Sequence, residues 1–311
     1  MKFIPMLLGA AAAALFTTST LAAKLGDPAA ALVIKDWAKG EPVDVKDGKN
    51  VYVVEFWATW CGPCRTSIPH LTELQKKFKD KGAIFVGVSD EPLETVKPFV
   101  EKMGEKMEYR VACDADSKTS DGYMKAFGQN GIPTAFIVGK DAKVLWFGHP
   151  MAELEETLQQ ILDGKYDLAA AVKKDEFRAG MDDFQNLSTA GDAKAAELGR
   201  KLLAQVGDDF DGLCDFAFTI VANTRNEHRD FKLADEALDK AATKAAGKEA
   251  RVEAIRAIGR FEAGKKEEGI ALAKQAVAHA KNDKEKAQYE SFVQVMEQRL
   301  KPEAPPAVDK K

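Results

Sequence analysis

The chain has 311 residues, 45% of them hydrophobic and 30% charged, with a formal net charge of −4. That composition excludes wholesale disorder, and the length suits about two domains. The acidic balance argues against a nucleic-acid binder, which would carry a basic surplus, so soluble partners and no nucleic acid are expected.

Lys2 precedes an apolar stretch from Phe3 to Phe16, then small polar residues and Thr20-Leu21-Ala22-Ala23. Charged, apolar and small-residue regions in that order read as a secretory signal peptide over residues 1–23, cleaved after Ala22 or Ala23, and imply a periplasmic protein. The apolar stretch is shorter than the roughly 20 residues that cross a bilayer, which makes a retained N-terminal membrane anchor the lesser alternative.

Val51 to Trp57 is β-branched, aromatic and apolar around one acid, Glu55, and reads as a central strand buried on both faces. Trp60-Cys61-Gly62-Pro63-Cys64 follows directly. From Arg65 to Lys79 the apolar positions Ile68, Leu71, Leu74 and Phe78 recur at helical spacing, with a kink at Pro69. The pattern then predicts a strand over Ala83 to Ser89, a helix over Leu93 to Met103 and short strands over Tyr109 to Cys113 and Thr134 to Val138. Val144 to Gly148 pairs with the last of these as a hairpin, and Glu153 to Leu162 closes with a helix. Residues 24–163 are thus expected to form an α/β layer fold.

Past Asp163-Gly164-Lys165 the β-branched runs vanish and helical periodicity takes over, so residues 164–300 are expected to form an all-α domain. Its apolar stripes are Leu198, Leu202 and Val206; Leu213, Phe216 and Ile220; Val252, Ile255 and Ile258; Ile270, Ala273, Val277 and Ala280; and Tyr289, Phe292, Val293, Met296 and Leu300. Lys232 to Ala241 can be laid over Glu267 to Ala276, about 35 positions on, close to the roughly 34-residue period of helix–turn–helix repeats. The segment resembles tetratricopeptide repeats, with Gly264-Lys265-Lys266 at the turn. The aromatic positions of that pattern are poorly kept, so an irregular helical bundle stands beside it. The proline-bearing tail, residues 301–311, is expected to be disordered.

The chemistry points to Cys61 and Cys64. Two cysteines two residues apart at a helix start can reach one another across the first turn, and the unpaired N–H groups of that turn stabilise a thiolate on the first. Cys61, combining exposure with the helix N-terminus, is expected to be the nucleophile of thiol–disulfide exchange and Cys64 the resolving thiol. A zinc site would need a second C-x-x-C or a histidine pair, and the nearby sequence offers only His70. A purely structural bridge closing so short a loop would stabilise little. Cys113 and Cys214 read as two unrelated buried thiols, with a Cys113–Cys214 bridge the alternative in an oxidising compartment.

Val54-Glu55-Phe56-Trp57-Ala58-Thr59-Trp60-Cys61-Gly62-Pro63-Cys64, with Gly131-Ile132-Pro133-Thr134, resembles the thioredoxin superfamily over roughly Val33 to Leu162. The resemblance implies a thioredoxin-like fold in which Pro133 is cis beside the cysteine pair and the backbone of Ile132 receives an extended substrate segment. Trp60, Gly62 and Pro63 would complete the substrate-facing surface. Glu55 matches the family's buried acid, usually aspartate; it would accept the Cys64 proton, or else be a strand-end acid facing solvent or a salt bridge. An added helix and strand near Glu91 to Cys113, with the leader, is similar to the TlpA-like cell-envelope reductases, some of which reduce apocytochrome c. A peroxiredoxin would need a Thr-x-x-Cys context, which the chain lacks.

Gly62-Pro63 matches reducing thioredoxins rather than the His-containing dipeptides of oxidases, which favours reduction. The implied partners are disulfide-containing client proteins, an upstream membrane thiol reductase that restores the pair, and a protein partner of the helical half. No cofactor and no metal is expected. An envelope adaptor whose helical half binds a partner is the alternative function, and copper handling by the thiolate pair lacks a nearby Met/His cluster.

Overall fold

A computed structural model of the chain describes residues 23–300; the expected leader, but for Ala23, and the expected tail lie outside the described residues. The chain divides into two compact units, one ending at Val172 and one beginning at Lys173.

The first unit carries β1 (Ile34–Lys39), β2 (Val51–Phe56), α1 (Gly62–Phe78), β3 (Ala83–Ser89), α2 (Leu93–Met103), β4 (Arg110–Asp114), the one-turn α3 (Lys118–Ser120), β5 (Thr134–Val138), β6 (Val144–Gly148) and α4 (Leu154–Leu162). The strands form one sheet in the order β1-β4-β3-β2-β5-β6. β2, β3 and β4 are parallel, joined by α1 and α2, whereas β1, β5 and β6 run antiparallel to their neighbours. This is the expected α/β thioredoxin-like fold. β1 has no strong sequence signal: Ile34-Lys35-Asp36-Trp37-Ala38-Lys39 is half polar and sits at the sheet edge, paired to β4 with two register irregularities.

Alternation along the strands sorts side chains into two cores. Val51, Val53, Phe85, Val111, Ala135 and Ile137 face α1, α2 and α4, where Leu71, Phe78, Val96, Leu154 and Leu158 cover them. By the same period of two, Glu55 points to this helical face. Tyr52, Val54, Phe56, Val86, Val88 and Phe136 line the other face with Tyr123, Met124 and Phe127. Phe136 is central there, its ring 5.7 Å from Phe56, 5.2 Å from Tyr123, 5.6 Å from Phe127 and 5.7 Å from Phe147, centroid to centroid.

The second unit is all α. α5 (Leu168–Thr189) leads into it, followed by α6 (Lys194–Val206), α7 (Phe210–Ala222), α8 (Phe231–Ala242), α9 (Glu249–Glu262), α10 (Lys266–Ala278) and α11 (Asp283–Leu300). The expected stripes fall on α6, α7, α9, α10 and α11, but Leu300, the last residue of α11, is 39% exposed, and Ala280 lies past the end of α10. The two segments matched in sequence are α8 and α10, and the matched small residues Ala234 and Gly269, and Ala241 and Ala276, are buried. At Gly269 a Cβ would stand 2.8 Å from the carbonyl oxygen of Ala257, so only glycine lets α10 lie this close to α9. No helix among the described residues is long and apolar enough to cross a membrane.

Because Phe136 is fully buried among four rings, Phe136→Ala should destabilise its unit by about 3–5 kcal/mol in denaturant unfolding with the slope unchanged. A loss below about 1 kcal/mol would show that this aromatic layer collapses around the gap.

Candidate active site

From the end of β2 the chain runs through Trp57-Ala58-Thr59-Trp60 and turns into α1 at Cys61. Cys61 is the helix N-cap: its backbone is extended and its Sγ accepts the Cys64 N–H at 3.1 Å. α1 therefore starts at Gly62, earlier than Arg65, because the motif itself forms the cap and first turn. Pro63 in that turn has no N–H to leave unpaired, and no acidic residue neutralises the helix's positive end. Cys61 and Cys64 form a disulfide, with their Cα atoms 5.3 Å apart.

Exposure does not distinguish the two sulfurs as expected, since Cys61 is 3% exposed and Cys64 is buried. The bridge draws Cys61 in over the first turn, and its Sγ lies 3.8 Å from the carbonyl oxygen of Ile132. Position distinguishes them instead: Cys61 caps the helix at the mouth of the loop carrying Ile132 and Pro133, and Cys64 lies beneath. The Ile132–Pro133 peptide is cis, and Thr134 Oγ1 donates to the Gly131 carbonyl oxygen at 2.7 Å to hold that loop. Gly62 and Pro63 are exposed, Ile132 is half-buried, Pro133 is buried, and Trp60 projects at 71% exposure.

Glu55 is buried at 1% exposure. Ser67 Oγ donates to its Oε1 at 3.0 Å and Tyr109 Oη to its Oε2 at 3.1 Å. Burial pushes this carboxyl up to about 8, against the pull of the two hydroxyl donors. A strand-end acid facing solvent is thereby corrected: the apolar run around Glu55 places it inside, paired with two neutral hydroxyls. Ser67 Oγ also lies 3.0 Å from the Cys64 carbonyl oxygen, which joins the acid to the backbone of Cys64 through one side chain.

Sequence reasoning missed Ser67, Tyr109, Glu91 and Arg65. The Glu91 carboxylate accepts from Thr59 N at 2.6 Å and Thr59 Oγ1 at 2.7 Å, and Arg65 donates to the Thr59 carbonyl oxygen through Nη2 at 2.7 Å. Thr59, two residues before Cys61, is thus gripped from both sides. Ser67 carries a readable signal, three positions after Cys64 on the same helix face. Tyr109 and Glu91 carry none, since only the sheet brings β3 and β4 beside β2. Cys113 and Cys214 are free and buried, and burial pushes both thiols up to about 11, leaving them protonated at neutral pH. Among the described residues no group of three His, Cys, Asp or Glu side chains, with or without His70, converges as a metal site.

A model of the AhpC/TSA family matches residues 25–147, which span the whole pair and Pro133. The thiol-disulfide oxidoreductase ResA of Bacillus thuringiensis (strain Al Hakam) is 35% identical over 125 residues, covering 39% of this chain and 68% of that protein. Protein FixW of Rhizobium leguminosarum is 26% identical over 150 residues, covering 46% of this chain and 67% of that protein. Among solved structures, a thiol:disulfide interchange protein DsbE from Chlorobium tepidum is 29% identical, covers 46% of this chain and 97% of its own, and superposes with a TM-score of 0.38.

The raised Glu55 carboxyl has a consequence for stability. The folded protein holds a proton on Glu55 up to about 8, whereas the unfolded chain releases it near 4.5. Stability from this group is therefore full below 4.5 and is lost as pH rises through 8. Glu55→Gln removes that dependence, so the difference in melting temperature, variant minus wild type, should grow from about pH 5 to about pH 9. A difference that stays constant between those two pH values would show that Glu55 titrates normally.

Proposed function

Because the chain belongs to the AhpC/TSA, thioredoxin-like family and is a thiol–disulfide oxidoreductase, we propose that it works as an exported reductase of protein disulfides, with Cys61 the nucleophile and Cys64 the resolving thiol. The observation that carries the reading is the hydrogen bond from Cys64 N–H to Cys61 Sγ at the head of α1. In the reduced protein the same amide and the helix dipole favour a thiolate on Cys61.

The Cys61 thiolate attacks one sulfur of the client disulfide. The other client sulfur leaves as a thiolate and takes a proton from water. In molecules whose Glu55 is ionised, a fraction that grows as pH rises toward 8, Cys64 gives its proton to the Glu55 carboxylate and attacks Cys61 Sγ, the mixed disulfide breaks, and the second client sulfur departs. Two electrons pass to the client, and the Cys61–Cys64 disulfide remains. Trp60, Gly62, Pro63, Ile132 and Pro133 form the client-facing surface, where the Ile132 backbone meets an extended segment.

The reducing direction is supported by Gly62-Pro63, which puts no imaidazole beside the sulfur, so the dithiol form gains no extra stability. Periplasmic placement is supported by the leader pattern in residues 1–23, and an upstream membrane thiol reductase would return electrons to the pair. Residues 24–163 serve as the redox domain and residues 164–300 as a separate helical domain that holds a protein partner, since paired helices offer surfaces of that kind.

In the reduced protein Cys61 should be alkylated first, with an apparent pKa below that of a free cysteine, because Cys64, Cys113 and Cys214 are buried without a cap position. Faster labelling of Cys64 reverses the assignment. Cys64→Ser in the full chain should leave client proteins disulfide-linked to Cys61 on gels run without reductant. No linked client under periplasmic conditions, together with failure of the wild type to reduce insulin, would exclude a reductase.

A further inference from the structure

Each oxygen of Glu55 has its own partner from a different element. Ser67 on α1 takes Oε1 at 3.0 Å, and Tyr109, in the segment between α2 and β4, takes Oε2 at 3.1 Å. Tyr109 is 4% exposed, packed in the core on the helical face, and its hydroxyl donates to this carboxyl oxygen.

The room for that ring comes from the neighbouring strand. Gly87 stands beside Glu55 in the parallel pairing of β2 with β3. A Cβ at Gly87 would lie 3.0 Å from Trp57 Nε1 and 3.0 Å from Tyr109 Cε2, tighter than nine in ten real Cβ contacts. A Cβ on this strand would therefore make the indole and the phenol give way by a few tenths of an ångström, disturbing the geometry of the phenol at the carboxyl. Glycine inside a buried central strand weakens the strand, and such a residue marks a close approach by another group. Here the two approaching groups are the Trp57 and Tyr109 rings.

Ser67 has one proton and two acceptors in reach, Glu55 Oε1 and the Cys64 carbonyl oxygen, both at 3.0 Å. With Glu55 protonated on Oε1, the carboxyl donates to Ser67 and Ser67 donates to Cys64. With Glu55 ionised, Ser67 turns its proton to the carboxylate. Tyr109, bonded to the other oxygen, keeps the carboxyl in the orientation that permits this exchange, and as a donor it favours the charged form.

We propose that Tyr109 is a positioning residue for thiol–disulfide exchange: it holds Oε2 of Glu55 so that Oε1 serves Ser67 and the Cys64 segment, and Gly87 is the position that admits it. The proposal rests on the reading of Glu55 as the proton acceptor for Cys64. The titratable groups facing Glu55 are Tyr109 and, across Ser67 on α1, the cysteine pair; β3 and β5 face it with Gly87 and Ala135, which do not titrate.

Tyr109→Phe keeps the ring and removes one donor to the carboxylate. In the full chain, carbon NMR of labelled glutamate should show Glu55 titrating higher than in the wild type, by on the order of one pH unit. The pH profile for thiol release from a preformed mixed disulfide on Cys61 should move up by the same amount, with the rate of first attack unchanged. Gly87→Ala should move both in the same direction. Adding Tyr109→Phe to Glu55→Gln should change nothing further. An unshifted Glu55 titration in Tyr109→Phe overturns the proposal, and so does a further loss in the double variant. If Glu55→Gln shifts the release profile and Tyr109→Phe does not, the Tyr109 role fails; if Glu55→Gln itself leaves the profile unchanged, the reading of Glu55 as acceptor fails.

Discussion

The site is organised by a sulfur that serves as a helix cap. An α-helix leaves its first N–H groups without partners, and an N-cap is usually a serine, threonine, aspartate or asparagine oxygen. Here Cys61 Sγ takes the Cys64 N–H at 3.1 Å, so the cap and the partner sulfur belong to one turn. Changing that turn would alter the helix end, the spacing of the pair and the charge on the sulfur together. The Thr59 clamp has the same logic one step earlier: Glu91 and Arg65 hold the residue that sets where the turn begins.

Below the cap, the fold tolerates a carboxyl where it would otherwise place an apolar side chain. Glu55 shares a face with Val51 and Val53, and its burial opposes ionisation. The two neutral hydroxyls satisfy its oxygens without supplying a positive charge that would pin it as a carboxylate. An arginine in place of Tyr109 would hold the group ionised and depress its affinity for a proton, removing its capacity to accept one near neutral pH. The arrangement gives up stability at higher pH and leaves a carboxyl whose proton affinity burial has raised.

The second unit is built by a different economy of side chains. Its helices bury narrow stripes, so alanines and Gly269 bring backbones close and salt bridges such as Arg260 to Glu268 and Arg229 to Glu262 tie neighbouring turns. The Arg229–Glu262 pair is nearly buried and extends to Arg299, which places it at the joint of three segments rather than on a solvated face. Nothing in this unit carries a thiol other than Cys214, held deep in α7.

Local pattern was enough for much of this. Runs such as Val51 to Phe56 and Ala83 to Ser89 read as strands because their β-branched and apolar residues leave no other economical burial, and the cysteine spacing carried its chemistry within one helical turn. The five helical stripes were legible for the same reason, period being a local property. What sequence could not show depends on strands far apart in the chain lying side by side. β1 is too polar to announce itself and exists because β4 offers an edge. Tyr109 reaches Glu55, Gly87 makes room for it, and Glu91 grips Thr59 only once β3 and β4 are stacked beside β2. The pair's identity was written in five consecutive residues, whereas the proton affinity of the acid beneath it was decided by tertiary packing, because burial and hydrogen-bond partners are properties of a neighbourhood and no single stretch of chain contains one.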